Sequence, residues 1–134
     1  MTIDKKNAKN INDLLKKVNF KFKVWLSWKG EEAKENILGE GWANLLQKIR
    51  DNDGKSLLKA ADSCNYSYKY AWSILKRIEN RTGKSPVIIG KGGKGGGGWV
   101  KLNKWGETLL ESYNKFKNFI QSHLQNFLLE IRRN

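Results

Sequence analysis

At 134 residues, 39% hydrophobic and 29% charged, the chain has material for one folded domain and not for two. Lys and Arg number 26 against 13 Asp and Glu, a net charge of +13, which favours a polyanionic partner: nucleic acid first, an anionic membrane surface second. No apolar run approaches the ~18 residues that cross a bilayer. The first lysines have no apolar stretch behind them as a secretory signal would, and the single Cys64 suits a reducing, cytoplasmic setting.

The charge is unevenly placed. Residues 1–29 hold eight basic and two acidic side chains, 30–62 five and seven, 63–105 nine and one, and 106–134 four and three. Charge that served only solubility would be spread more evenly, so the surplus implies a binding face drawn from the N-terminal stretch and the middle.

Residues 1–19 read as a basic N-terminal arm in which Ile11, Leu14, Leu15 and Val18 are spaced for a short amphipathic helix. Phe20, Phe22, Val24, Leu26 and Trp28 alternate with Lys21, Lys23, Trp25 and Ser27, the period of a strand with one buried face. A polar turn follows, and Ile37 and Leu38 supply a short return strand. From Glu40 the period becomes helical through Trp42, Leu45, Leu46 and Ile49, and stops at Asp51-Asn52-Asp53-Gly54. A second helix has Ser56 as N-cap and the small Ala60 and Ala61 for a close crossing. Ser63-Cys64-Asn65 makes a turn in which Asn tolerates the left-handed conformation. A third helix starts after Ser67, buries Ala71, Leu75 and Ile78 with Trp72 or Ile74 beside them, and ends at Gly83. A short helix, a three-residue turn and a longer helix with a basic outer face form the helix-turn-helix pattern.

Pro86–Ile89 and Trp99–Leu102 then read as paired strands around Gly90-Lys91-Gly92-Gly93-Lys94-Gly95-Gly96-Gly97-Gly98, which holds seven of the 13 glycines. That is the composition of a wing, although a plain flexible linker has a similar one. Asn103 caps a last helix reaching almost to Asn134. Its apolar seam is Leu109, Tyr113, Phe116, Ile120, Leu124, Phe127 and Ile131, recurring every ~3.67 residues. Such a stripe outruns what a small domain covers, so Tyr113, Phe116, Ile120, Leu124, Phe127 and Ile131 are expected to pack on a second copy; the alternative is a helix folded back on its own domain. The expected fold is thus α+β and mainly helical: a winged helix-turn-helix over 20–103 with an N-terminal strand, followed by a dimerisation helix over 104–134.

Helix-turn-helix proteins present the N-terminal end of the recognition helix to base edges. Here that end carries Ser67, Tyr68, Lys69 and Tyr70. Lys69 can donate to guanine and Ser73 to several bases, whereas Lys76 and Arg77 suit phosphates. Tyr68, one turn before Trp72, either caps the core or meets DNA. At the glycine-rich tip Lys91 and Lys94 can meet phosphates while the glycines leave a narrow groove unobstructed.

Catalytic and cofactor readings fare poorly. Gly90, Gly92 and Gly95 form a G-x-G-x-x-G after a strand, but a pyrophosphate site needs a helix N-terminus next, and another strand follows here. The Asp51–Gly54 turn fails as a calcium loop, because with Gly54 sixth the first and twelfth positions fall on Ile49 and Ala60. His123 has no Cys or carboxylate cluster near it and Cys64 no nearby histidine. No enzyme activity, metal, cofactor or small-molecule effector is expected.

The strings Ser67-Tyr68-Lys69-Tyr70-Ala71-Trp72 and Gly92-Gly93-Lys94-Gly95-Gly96-Gly97-Gly98 resemble the DNA-binding domain of ModE-type molybdate-responsive regulators, which are similar to the LysR-type winged-helix group. The similarity extends from about Phe20 to Leu110 and includes Gly39-Glu40-Gly41 and Leu102–Gly106. It implies a homodimeric transcriptional regulator, cytoplasmic and nucleoid-associated, whose third helix and wing contact double-stranded DNA. Departures are Trp99 before Val100, where the family has a small residue after the glycines, and Asn65 for the turn glycine. The family's C-terminal oxyanion-binding domains have no counterpart in these residues, so molybdate sensing is not implied. An architectural DNA-binding protein with little sequence preference is the alternative expectation.

Overall fold

The computed structural model describes residues 7–30, 35–92 and 98–133. The elements run α1 (Ile11–Lys17), β1 (Leu26–Ser27), β2 (Asn36–Leu38), α2 (Glu40–Asp51), α3 (Leu57–Ser63), α4 (Tyr68–Thr82), β3 (Val87–Gly90), β4 (Trp99–Leu102) and α5 (Lys104–Arg132). The protein is α+β and mainly helical, with two small antiparallel sheets, β1–β2 and β3–β4. Contacts group the chain into two units: Lys23–Lys115, and Met1–Phe22 with Phe116–Asn134. Among the described residues no helix is long and apolar enough to cross a membrane.

In the Lys23–Lys115 unit the core follows from helical spacing. α2 buries Ala43, Leu45, Leu46 and Ile49, α3 buries Leu57, Ala60 and Ala61, and α4 buries Ala71, Ile74, Leu75 and Ile78. Ile37 and Leu38, Val87, Val100 and Leu102, and Leu110 and Tyr113 complete it. The helix starts use hydroxyl caps: Ser56 accepts from the Lys59 N–H at 3.3 Å and Ser67 from the Tyr70 N–H at 3.0 Å. α4 stops at Gly83, whose φ of 89° is left-handed and whose N–H reaches the Glu79 carbonyl at 2.7 Å.

The α3–α4 turn is a Schellman motif. Asn65 takes φ 60° and donates to the Asp62 carbonyl at 3.0 Å, while the Tyr66 N–H closes on the Ala61 carbonyl at 2.9 Å. These two bonds satisfy carbonyls that the end of α3 would leave unpaired.

β3 and β4 pair from Val87↔Leu102 to Gly90↔Trp99. The hairpin is tied to the α2–α3 loop by the Val100 N–H, which donates to the Lys55 carbonyl at 3.0 Å. Asn103 joins the hairpin to α5: its Oδ1 accepts from the Gly106 N–H at 2.8 Å and its Nδ2 donates to the Ser85 carbonyl at 2.7 Å.

The strand expected over Phe20–Trp28 is largely absent. Only Leu26 and Ser27 pair, against Leu38 and Asn36, with a register shift between them. A partner of three residues cannot support a nine-residue strand, and the pairing is interrupted at its second step. The expected buried face also fails at both ends, since Phe20 and Trp28 are about half exposed.

The second unit brings α1 against the C-terminal part of α5. Asn10 caps α1 by accepting from the Asp13 N–H at 2.8 Å. The Arg132 guanidinium donates to the Val18 carbonyl at 3.1 Å and to that of Leu15 at 3.4 Å, satisfying carbonyls at the end of α1. Phe20 meets Phe127 edge-on at 5.6 Å, and Leu128 is buried.

Gly106 lies where a Cβ would fall 2.1 Å from the Pro86 carbonyl oxygen. Alanine is the better helix former by about 1 kcal/mol, but here it drives a methyl into backbone, an overpacking of about 1–3 kcal/mol. A contact this short lies at the upper end of that range, so Gly106→Ala is expected to lower unfolding stability by about 2 kcal/mol in urea titration. Unchanged stability would mean that the Pro86 carbonyl moves freely.

Candidate nucleic-acid interface

α4 divides sharply. Its inner face is the core stripe, and its outer face carries Lys69, Lys76, Arg77 and Asn80, all exposed. Lys69 and Arg77 have no hydrogen-bond, ion-pair or ring partner among the described residues, whereas Lys76 pairs with Glu79 at 3.4 Å. Ser73 is half-buried and its hydroxyl donates to the Tyr70 carbonyl at 2.7 Å, so its proton is already committed to its own helix.

The aromatic residues of the first turn are surface groups. Tyr68 is 49% exposed and meets Trp72 edge-on at 6.1 Å, so it belongs to the surface rather than the core. Tyr70 is 41% exposed and meets Tyr66 edge-on at 5.0 Å. Tyr66 in turn donates its hydroxyl to the Gly41 carbonyl at 3.2 Å, and burial pushes its phenol pKa up. The start of α4 is thereby fastened to the start of α2.

Beside this face, α3, α4 and the hairpin border an open cleft of about 600 Å³, lined by Ser56, Leu58, Tyr68, Trp72, Ile89 and Trp99 among others. The hairpin end is shaped by its glycines. A Cβ at Gly90 would fall 2.1 Å from the Trp99 indole, and one at Gly98 would fall 2.6 Å from the Gly90 carbonyl oxygen. Lys91 follows Gly90 and is exposed. Lys94 lies outside the described residues.

No protein-family model and no curated protein matches the chain.

Several cations in the basic middle segment are already engaged. The Arg81 guanidinium pairs with Glu35 at 3.4 Å, donates to the Asn36 carbonyl and covers the Trp42 ring at 4.8 Å, while the Arg81 carbonyl accepts from the Trp28 indole N–H at 2.7 Å. Lys84 lies over Trp105 at 5.2 Å; Lys101 lies 5.8 Å from the Trp99 ring and 3.8 Å from Asp53. Sequence reasoning missed the Arg81 cluster because no spacing rule links Glu35, Trp42 and Arg81. The only available signal was an unusual number of tryptophans among lysines and arginines.

The expected dimer seam is placed unevenly. Tyr113 fills the chain's own core at 3% exposure. Phe116 and Phe127 are exposed, while Ile120, Leu124 and Ile131 are half-buried. Phe119 and Leu129, outside the expected stripe, are also exposed.

Cys64 is partly buried and accepts from the Asn44 amide at 3.5 Å; burial pushes its thiol pKa up, with Lys48 opposing, so the unreactive protonated form is favoured. His123 is exposed and packs on the Phe119 ring at 4.3 Å. Among the described residues no group of three His, Cys, Asp or Glu is placed to hold a metal.

Replacing Arg81 by Gln removes the ion pair and ring contact that hold α4 to the β1–β2 hairpin and α2. It is expected to cost about 1.5–3 kcal/mol of stability, the range for hydrogen bonds to a charged group, and to expose Trp42 to added iodide. An unaltered quenching profile would show that Arg81 is dispensable to this packing.

Proposed function

We propose that the chain is a sequence-specific double-stranded DNA-binding transcriptional regulator, a winged helix-turn-helix similar to the DNA-binding domain of ModE-type and LysR-type regulators, acting as a homodimer in the cytoplasm. The observation that carries this reading is the outer face of α4. It offers Lys69 and Arg77 with no partner among the described residues, on a helix locked to α3 by the Asn65 turn and followed at once by a hairpin with Lys91 at its end.

In this reading α4 lies in a major groove and the hairpin is the wing, with Lys91 and Lys94 on phosphates of the adjacent minor groove. Ser67, Tyr68, Lys69 and Tyr70 address bases and sugar edges, while Lys76 and Arg77 address phosphates. The Val100–Lys55 hydrogen bond supports the assignment, because it anchors the wing to the loop before α3 and fixes its angle to the helix pair. The exposed Phe116, Phe119 and Phe127 support a second copy on α5, because exposed apolar patches of this kind mark interaction surfaces. Dimer half-sites would then lie about one helical turn of DNA apart, or a multiple of it.

A weakly selective architectural DNA-binding role gains from two observations. The Ser73 proton is spent within α4, and Lys76 is partly neutralised by Glu79. Fewer groups remain to read bases.

Binding to selected and random duplexes separates the two. Lys69→Ala is expected to cost about 1–3 kcal/mol on the preferred site and little on random DNA. Lys91→Ala is expected to weaken both alike and reduce the slope of log K against log salt by about 1. Equal losses on both duplexes from Lys69→Ala would favour the architectural role, and no duplex affinity at low salt would end both readings.

A further inference from the structure

The cleft between α3, α4 and the β3–β4 hairpin is unlike the rest of this surface. In a chain of net charge +13, none of the described residues that line it is charged. Three aromatic rings, Tyr68, Trp72 and Trp99, share it with the aliphatic Leu58 and Ile89, which remain 51% and 55% exposed. Side chains of this kind, left half in water and gathered around one concavity, are the usual lining of a small-molecule site, and about 600 Å³ lies within the usual range of such sites. The cleft is also braced. Trp99 rests on Gly90, Gly98 approaches the Gly90 carbonyl, and the Val100 N–H is held by Lys55. A rigid wall lowers the cost of binding.

We propose that this cleft binds an uncharged, planar aromatic small molecule, and that its occupancy excludes DNA. The absence of charge among the described lining residues argues against a phosphate or carboxylate ligand, and flat rings match the Tyr68, Trp72 and Trp99 faces. The Ser56 hydroxyl, which accepts from the Lys59 N–H, still has a proton to give to an acceptor on the ligand edge. Exclusion follows from position, because Tyr68 opens the helix and Ile89 lies on the strand that the proposed function lays on DNA. This second half rests on that reading; the first does not.

The test uses the full chain and the neutral fluorescent probe N-phenyl-1-naphthylamine, first without DNA. A saturable 1:1 fluorescence gain is expected, with indole competing. Leu58→Lys and Ile89→Lys, each placing a charge at an exposed position on the lining, should each weaken it tenfold or more, and Ile11→Ser at an exposed position on α1 should leave it unchanged. In the unmodified protein, amide shifts on adding indole should concentrate at Tyr68, Trp72, Ile89, Gly98 and Trp99, a readout independent of how any variant folds. No saturable gain, equal weakening by Ile11→Ser, or shifts elsewhere would overturn the site. In the second arm, duplex DNA should displace the probe. A duplex that binds without displacing it would overturn the exclusion, whereas a duplex that does not bind at all counts against the proposed function and leaves the first arm to decide the site.

Discussion

Ala60 and Ala61 of α3 and Ala71 of α4 are fully buried in one core, and α3 and α4 pack against each other. That crossing is the constraint on which the rest of the larger unit depends. A larger side chain at any of these three fully buried positions would overpack the interior by about 1–3 kcal/mol. The Asn65 turn sets the same geometry from the backbone side, through two hydrogen bonds and one left-handed residue. With α3 and α4 fixed, the outer face of α4 is fixed too. Lys69 and Arg77 face outward because Ala71, Ile74, Leu75 and Ile78 must face inward.

Much of this was legible in the sequence, for identifiable reasons. Helix starts were marked by Ser56, Ser67 and Asn103, and each makes the capping bond that its position suggests. The left-handed turn was marked by Asn65, and the hairpin strands by their apolar runs on either side of the glycines. These are local signals, carried within four or five residues. The failures are non-local. Alternation over Phe20–Trp28 was real as a pattern, but a strand needs a partner of matching length, and β2 offers only three residues. The stripe on α5 was read as one seam, yet its first turns are claimed by the core through Leu110 and Tyr113, and Leu128 is buried outside the stripe. Periodicity identifies an apolar face without naming what covers it.

The same distinction applies to charge. Nine cations in residues 63–105 pointed to a binding face, but Arg81, Lys84 and Lys101 each lie near a tryptophan ring, and Lys76 faces Glu79. A cation over a ring gains about 0.5–1 kcal/mol at an exposed site, so such groups are partly committed to the fold. The candidate interface therefore rests on fewer side chains than the net charge suggests, with Lys69 and Arg77 the ones on α4 that have no partner among the described residues. A ligand surface built from few cations depends more heavily on shape.

Shape is where Trp99 matters. It stands directly after four glycines, and composition gives no reason for a bulky ring there. The structure supplies one: the indole covers Gly90, its neighbour in the ladder, and Lys101, two residues on, approaches the ring. Glycine at position 90 and tryptophan at position 99 are one feature, because a Cβ on the first would occupy the place of the second. The hairpin end is therefore stiffened by a side chain packed on bare backbone, and the glycines around it are not all there for flexibility. Gly90 and Gly98 create closeness, and the basic end of the hairpin begins only where that packing stops.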